Sequence, residues 1–159
     1  MKLGIISDTH IPERAPRLPS RIFDVFKDVD LILHAGDIET AVVLDELKSV
    51  APVTAVAGNM DTLLRHLPYK REIKVANQWI GLIHGAGGPR NQIRERIRNE
   101  FLQARLIIYG HTHHPFWGQE GGVYYMNPGS PTDTVFAPFC SVGIVEICGD
   151  SMQGDIIVL

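Results

Sequence analysis

Apolar residues of this chain come in short runs, and five of these runs end next to residues that bind metals well. The runs begin at Leu3, Leu31, Val53, Trp79 and Leu106, and each is about as long as a β-strand. In open α/β sheets, ligands lie beyond the carboxyl ends of the strands. If the five runs pair in one sheet, the polar residues that follow them converge at one edge.

The residues that follow the runs offer two carboxylates, four imidazoles and one carboxamide. They are Asp8, His10, Asp37, Asn59, His84, His111 and His113. This set is too rich in oxygen and nitrogen donors for a structural zinc site, and it is large enough for two ions. Gly36-Asp37 and Gly58-Asn59 are each ordinary turn sequences, whereas the pair His111 and His113 favours metal binding by itself. Their joint order and placement carry the prediction.

The first half of the chain alternates between strand and helix patterns. After a proline-rich loop over 11–19, helices are predicted over 20–26 and 40–49, the first capped by Ser20. This alternation predicts parallel strands with right-handed crossovers.

The second half is richer in strands. Residues 72–75 and 79–83 predict a hairpin, and 91–103 is the clearest helix pattern, with Phe101 and Leu102 on its inner face. Further strands are predicted over 116–118, 121–126, 141–147 and 155–159. Two packed mixed sheets with helices outside satisfy this order of elements.

Composition indicates one globular domain over residues 1–159, because 45% of the residues are hydrophobic and 21% are charged. The net charge of −3 argues against a nucleic-acid or anionic-membrane surface. The first apolar run is too short for a signal peptide, and no run approaches the roughly 20 residues that span a bilayer. Cys140 and Cys148 would lie about 26 Å apart on an extended segment, too far for a disulfide. We therefore expect a soluble, reduced, cytoplasmic protein.

The ordered blocks resemble those of a known enzyme family. Asp8-Thr-His10, Gly36-Asp37, Gly58-Asn59-Met60-Asp61, His84-Gly85 and Gly110-His111-Thr-His113 are similar to the blocks of the calcineurin-like metallophosphoesterases. The chain length and the loop Asn127–Ser130 resemble the small single-domain phosphodiesterase branch of bacteria and archaea. The resemblance implies an α/β (α+β) fold, a four-layer αββα sandwich in which helices flank two mixed β-sheets.

The resemblance also implies a site with two divalent metal ions. Asp8, His10 and His113 would hold one ion, Asn59, His84 and His111 would hold the other, and Asp37 would bridge them. Asp37, Asn59 and His84 would also take part in catalysis. The implied function is a metal-dependent phosphodiesterase in which a hydroxide between the ions attacks phosphorus in line. Mn²⁺ is the expected metal, and Fe, Ni, Zn or Mg stay open because such ligands accept them all.

The expected partner is a small-molecule phosphodiester substrate, without a membrane or nucleic acid, and a homo-oligomer stays open. Two alternatives compete with catalysis: a non-catalytic scaffold, such as a retromer subunit of the same fold, and a nucleotide-binding protein that uses metals only to bind. The scaffold alternative predicts a lost ligand, commonly the histidine of the first block. His10 is present, which favours an enzyme.

Two positions depart from the family pattern. Met60 stands where many relatives have a histidine that can protonate the leaving group, and Ala86 stands where some relatives have another histidine. A thioether cannot donate a proton, so we expect a preference for leaving groups that depart without acid assistance.

Several other residues have open roles. Asp61 either pairs with a loop arginine or closes a turn, and His34 either bonds near a ligand or is a satisfied core histidine. The loop Asn127–Ser130 either contributes to the pocket or is a plain turn. The helix that follows Gly85–Gly88 either presents amides and its positive end to a phosphate or carries a solvated basic face, and we favour the solvated face. The arginines that follow these glycines include Arg90, Arg94, Arg98 and Arg105.

Overall fold

The computed structural model describes residues 1–159 as ten strands and three short α-helices. The strands are β1 (Lys2–Ile6), β2 (Leu31–His34), β3 (Val53–Ala55), β4 (Lys70–Val75), β5 (Gln78–Ile83), β6 (Leu106–Ile108), β7 (Phe116–Glu120), β8 (Val123–Asn127), β9 (Ser141–Cys148) and β10 (Ser151–Val158). The helices are α1 (Arg21–Phe26), α2 (Ala41–Lys48) and α3 (Ile93–Arg98), and a 3₁₀ turn over Arg90–Gln92 leads into α3.

The strands form two mixed five-stranded sheets, which confirms the predicted architecture. The first sheet has the order β10-β9-β1-β2-β3, and the second has the order β4-β5-β6-β8-β7. Three neighbouring strands run parallel in each sheet, β1-β2-β3 in the first and β5-β6-β8 in the second. The five runs that precede the predicted ligands therefore do not pair in one sheet: three belong to the first sheet and two to the second.

Alternation along the strands builds the layers. Leu3 and Ile5 point between the sheets, where they join Leu82 and Ile108 of the second sheet, whereas Ile6 points to the opposite face. On that outer face the first sheet packs against α1 and α2, and the outer face of the second sheet packs against α3. Burial of each such aliphatic side chain contributes about 1.5–3 kcal/mol. The result is the predicted four-layer sandwich.

The third helix is shorter than its apolar pattern predicts. It ends at Arg98, whose guanidinium donates to the carbonyl of Phe101 and so holds the chain in a turn. Phe101 is buried against Gly81, where a Cβ would lie only 2.6 Å from the ring. Leu102, predicted on the inner face, is 81% exposed. The prediction for residues 99–103 is therefore wrong, because a buried turn imitates helical spacing.

Other boundaries differ in smaller ways. The Ser20 side chain makes no capping hydrogen bond, and β10 begins at Ser151, four residues before the predicted start. Cys140 directly precedes the extended strand β9, and Cys148 is the last residue of that strand. Both are free thiols, as expected. None of the helices has the length and apolar character that crossing a membrane requires.

Candidate metal centre

The carboxyl ends of the three parallel strands in each sheet meet at one edge of the sandwich. Asp8, Asp37 and Asn59 follow strands of the first sheet, and His84 and His111 follow strands of the second. Backbone bonds join these loops: the Asp8 N–H donates to the Gly36 carbonyl at 2.9 Å, and the Gly110 N–H donates to the His84 carbonyl at 3.1 Å. The His111 N–H donates to both carboxylate oxygens of Asp8 at 3.1 Å, which links the two sheets.

This edge brings all seven predicted residues together in one group, which we call the polar cluster. His113 Nε2 lies 3.2 Å from Asp8 Oδ1, and His84 Nε2 lies 3.2 Å from Asp37 Oδ2. His10 Nε2 lies 3.6 Å from Asp37 Oδ2. Around this group, Asn59 Oδ1 lies 3.1 Å from His84 Nε2, and the centroids of the His111 and His84 rings are 5.2 Å apart.

The outer nitrogen of three imidazoles is already used. His10 Nδ1 donates to Glu39 Oε1 at 2.7 Å, His84 Nδ1 donates to the Ala35 carbonyl at 2.9 Å, and His113 Nδ1 donates to Asp133 Oδ2. A carboxylate or carbonyl oxygen can only accept, so each ring carries its proton on Nδ1. The Nε2 atoms then face inward, the arrangement that outer partners impose on metal-binding histidines.

The inward-facing atoms need a positive charge between them. His10 Nε2 and His113 Nε2 are 3.3 Å apart, and two lone pairs at that distance repel each other unless a proton or a metal ion lies between them. Asp8 and Asp37 add two anionic groups that are almost completely buried. This donor set of carboxylates, imidazoles and one amide fits divalent cations, whose ligands are of these types.

The electrostatics of the polar cluster point the same way. Burial by itself raises the pKa of Asp8, but the hydrogen bond with His113 and the field of His84 outweigh it and lower that pKa. Burial lowers the pKa of His84, but hydrogen bonding with Asp37 and the charge of Asp8 raise it to about 9. The pKa of His113 is raised against burial by Asp8 and Asp133. The carboxylates thus stabilise positive charge inside the cluster.

Backbone strain is concentrated in the same loops. Of the eight non-glycine residues with positive φ, six lie here and two, Ala76 and Asn77, form the β4–β5 turn. The six are Asp8, His10, Asp37, Glu39, His111 and His113. Each such conformation costs about 1–3 kcal/mol and persists where the surroundings enforce it, commonly at functional sites. Gly58 shows how close the loops are, because a Cβ there would overlap the Asp37 carboxylate.

Asp61 closes the loops that carry two of the predicted ligands. Its Oδ1 accepts the N–H groups of Ile38 and Glu39 at 2.7 Å, and its Oδ2 accepts the Gly58 N–H at 2.7 Å. Of the two roles considered for Asp61, turn closure is therefore the observed one. It fixes the backbone beside Asp37 and Asn59.

His34 is a buried histidine with both ring nitrogens bonded. Its Nδ1 accepts the Gly36 N–H at 3.2 Å, so its Nε2–H donates to Thr9 Oγ1 at 3.2 Å. Burial lowers the pKa of His34 to about 3, which keeps the ring neutral. His34 thus braces the backbone between Asp8 and His10 from inside the core.

The loop after β8 is a buried support rather than part of the pocket. Asn127 Nδ2 donates to the Gly110 carbonyl at 3.0 Å, and Ser130 Oγ donates to the Asp8 carbonyl at 2.7 Å. Both side chains are fully buried. They fix the loops that carry Asp8 and His111.

Sequence reasoning missed Glu39 and Asp133, the two carboxylates that accept hydrogen bonds from the predicted ligands His10 and His113. Glu39 comes two residues after Asp37, a spacing that could have indicated a role. Nothing distinguishes Pro131-Thr-Asp133 from an ordinary turn in the sequence.

The arginines do not form one solvated face. Arg94 donates to Glu120 at 2.8 Å, and its guanidinium lies 4.2 Å from the centre of the Phe116 ring. Arg90 instead lines a cavity of about 180 Å³ above the polar cluster. Arg14 and Met60 line the same cavity, and the Arg14 guanidinium lies 5.2 Å from the centre of the Phe136 ring. Two cationic side chains therefore line the cavity above the polar cluster, together with the carboxylate of Glu13.

Comparison with known proteins gives one consistent family. Residues 1–150 match the family model described as the calcineurin-like phosphoesterase superfamily domain. A probable metallophosphoesterase of Methanothermobacter thermautotrophicus is 42% identical, over 99% of this chain and 92% of the relative. A phosphodiesterase of Methanocaldococcus jannaschii is 28% identical, over 81% of this chain and 83% of the relative.

A solved structure has the same fold. Vps29 of Entamoeba histolytica, in a complex with Zn²⁺, superposes with a TM-score of 0.80 and 26% identity, over 99% of both chains. The family match includes nine of the ten strands, β1 to β9, and every residue of the polar cluster. The chain is a member of the calcineurin-like phosphoesterase superfamily.

Proposed function

We propose that this chain hydrolyses phosphodiesters with two divalent cations. One ion would be held by Asp8, His10 and His113, the other by Asn59, His84 and His111, and Asp37 would contact both. The proposal rests on one observation: three imidazoles have their outer nitrogens occupied and turn their Nε2 atoms towards two buried carboxylates. Two divalent ions would satisfy this arrangement and leave it with a net positive charge.

The residues around the ions suit an anionic substrate. When bound, divalent ions lower the pKa of a coordinated water to about 7 and hold phosphate oxygens. Arg14 and Arg90 line the cavity from two different loops and add positive charge where a phosphate would enter. Asp133 and Glu39 keep His113 and His10 in the tautomer that can bind a metal. These side chains bind and orient, and none is needed as a nucleophile.

Met60 limits the choice of leaving group. Its backbone N–H donates to Asp37 Oδ1 at 2.8 Å, and the residue lines the cavity above the cluster. A thioether has no proton to give, so we propose that aryl and other activated diesters react fastest. A series of aryl diesters with graded leaving-group pKa tests this, because strong acid assistance would flatten the dependence of rate on that pKa.

The diester preference draws support from the relative named as a phosphodiesterase. The decisive experiment treats the protein with a chelator, restores Mn²⁺, and compares bis-p-nitrophenyl phosphate with p-nitrophenyl phosphate. We expect turnover that requires metal and favours the diester, together with about two metal ions per chain by elemental analysis. His111→Ala should abolish turnover, whereas His66→Ala, at an exposed histidine outside the cluster, should leave it unchanged.

A non-catalytic scaffold is the second candidate, and the likeness to Vps29 favours it. That alternative predicts metal binding without turnover of any phosphate ester. The presence of His10, with Nε2 directed at His113 and Asp37, supports catalysis instead. Stoichiometric Mn²⁺ binding with no hydrolysis across mono-, di- and cyclic phosphate esters would overturn the enzyme proposal.

A further inference from the structure

A second cleft opens beside the metal centre, on the side of β3 and β5. It has a volume of about 300 Å³, at the lower end of the range for small-molecule sites. Asn59 and His84 line this cleft, and both also belong to the polar cluster. A phosphate held at the cluster would therefore place one of its substituents within reach of the cleft.

The walls of this cleft differ in character from the cavity above the cluster. Ala57, Leu67 and Ala86 form small apolar surfaces, and Tyr69 lines the cleft although its side chain is 55% exposed. The cavity above the cluster is instead lined mainly by polar and charged groups, among them Arg14, Arg90 and Glu13. The site thus separates a polar part, in which the proposed metal ions and two arginines would hold phosphate, from a cleft whose apolar walls suit a substituent.

Two residues define the shape of the cleft. Ala86 lies two residues after His84 and presents only a methyl group, so the space next to the cluster stays open. Arg65 lines the cleft, and its Nε donates to the Thr62 carbonyl at 3.1 Å. A flat aromatic ring could stack on Tyr69 and turn a polar edge towards Arg65.

We propose that this pocket, the Tyr69 cleft, binds a planar aromatic substituent of the substrate, such as an aryl group or a nucleobase. The inference rests on the proposed function, because the phosphate must be held at the polar cluster for a substituent to reach the cleft. An exposed tyrosine beside small apolar side chains offers a flat surface for stacking, and stacking accepts any aromatic ring.

The test uses inhibitors that share one phosphonate group. Phenylphosphonate and methylphosphonate are compared as inhibitors of bis-p-nitrophenyl phosphate hydrolysis by the Mn²⁺-loaded protein. Since both bind through the same group, the ratio of their inhibition constants reports on the cleft alone. We expect phenylphosphonate to bind about three- to tenfold more tightly, the range that a stacked aromatic pair provides.

The variants assign that ratio to the cleft. Tyr69→Ala should bring the ratio close to one, whereas Tyr69→Phe should keep it because the ring remains. Ala86→Leu should weaken phenylphosphonate selectively by filling the cleft. Leu63→Ala serves as the control, since Leu63 is 82% exposed on the same loop and outside the cleft. A ratio near one in the unmodified protein, or a ratio unchanged in Tyr69→Ala, overturns the proposal.

A second pair of inhibitors distinguishes the two aromatic sources. Adenosine 5′-monophosphate is compared with ribose 5-phosphate. If the nucleotide inhibits more tightly and Tyr69→Ala removes this difference, the cleft binds a nucleobase. If only phenylphosphonate inhibits more tightly than its partner compound, the cleft binds a small aryl group. If no diester is hydrolysed, the proposed function fails. Calorimetric binding of the same four compounds to the Mn²⁺-loaded protein then still shows whether the Tyr69 cleft binds an aromatic substituent.

Discussion

Asp133 provides the sharpest test of how this site prepares its ligands. The side chain is fully buried, and its Oδ1 accepts the N–H groups of Val135 and Phe136 at 2.8 and 3.1 Å. Its Oδ2 accepts the Nδ1–H of His113. In Asp133→Asn the amide oxygen stays with the two backbone donors, so the NH₂ group faces His113. The imidazole must then carry its proton on Nε2, the atom that should bind the metal.

The expected loss follows from that change of tautomer. Removing an outer partner of a metal-binding histidine costs about 10–100-fold in metal affinity, or about 1.4–2.7 kcal/mol. Mn²⁺ titration at pH 8, with free Mn²⁺ followed by electron paramagnetic resonance, should show one ion weakened by this factor and the other changed little. Turnover should fall in parallel at limiting Mn²⁺.

Two further variants make the result interpretable. Glu39→Gln should lose less affinity, because an amide whose oxygen is not required elsewhere can rotate to accept the Nδ1–H of His10. Asp150→Asn changes an exposed carboxylate that bonds only to Gln78, so it should change nothing. Unaltered Mn²⁺ affinity at both ions in a folded Asp133→Asn protein would refute the reasoning.

Three other perturbations have defined outcomes. Asp37→Asn should lower Mn²⁺ occupancy and turnover together, each more than tenfold, because His10 and His84 both approach its carboxylate; elemental analysis showing normal occupancy would contradict its place between the ions. Gly58→Ala should destabilise the fold by about 1–3 kcal/mol and reduce metal binding, because the new methyl group displaces Asp37; thermal unfolding with and without Mn²⁺ measures both effects. Burial lowers the pKa of His34 to about 3 in the folded state, so this residue should lower the stability of the metal-free protein in acid. The unfolded chain binds the proton at about pH 6.5 and the folded chain does not, so stability rises with pH across the window from about 3 to 6.5. Between pH 6.5 and 5, denaturant titrations should show a loss about 1.6 kcal/mol larger than in His34→Asn, and equal slopes for both proteins would refute a neutral His34.

The fold was largely predictable because strand periodicity and metal-binding residues coincide. Apolar runs such as Leu3–Ile6 alternate between two buried faces, and each ends at a glycine or a polar residue. The ends of the strands could therefore be predicted from the sequence. The prediction failed at residues 99–103, where the burial of Phe101 over Gly81 depends on a strand about twenty residues away. Local periodicity carries no information about such a contact.

The amino-acid sequence by itself determined which side chains form the polar cluster and the order in which strands deliver them, since a strand's end is a local property. Only the tertiary structure decided which nitrogen of each imidazole faces inward, because Glu39 and Asp133 reach His10 and His113 across 29 and 20 residues. It also decided that Arg90, unlike Arg94, faces the site, and that Tyr69 and Ala86 border one cleft. These relations depend on how separate loops close over one another, and loop closure is set by the packing of the two sheets.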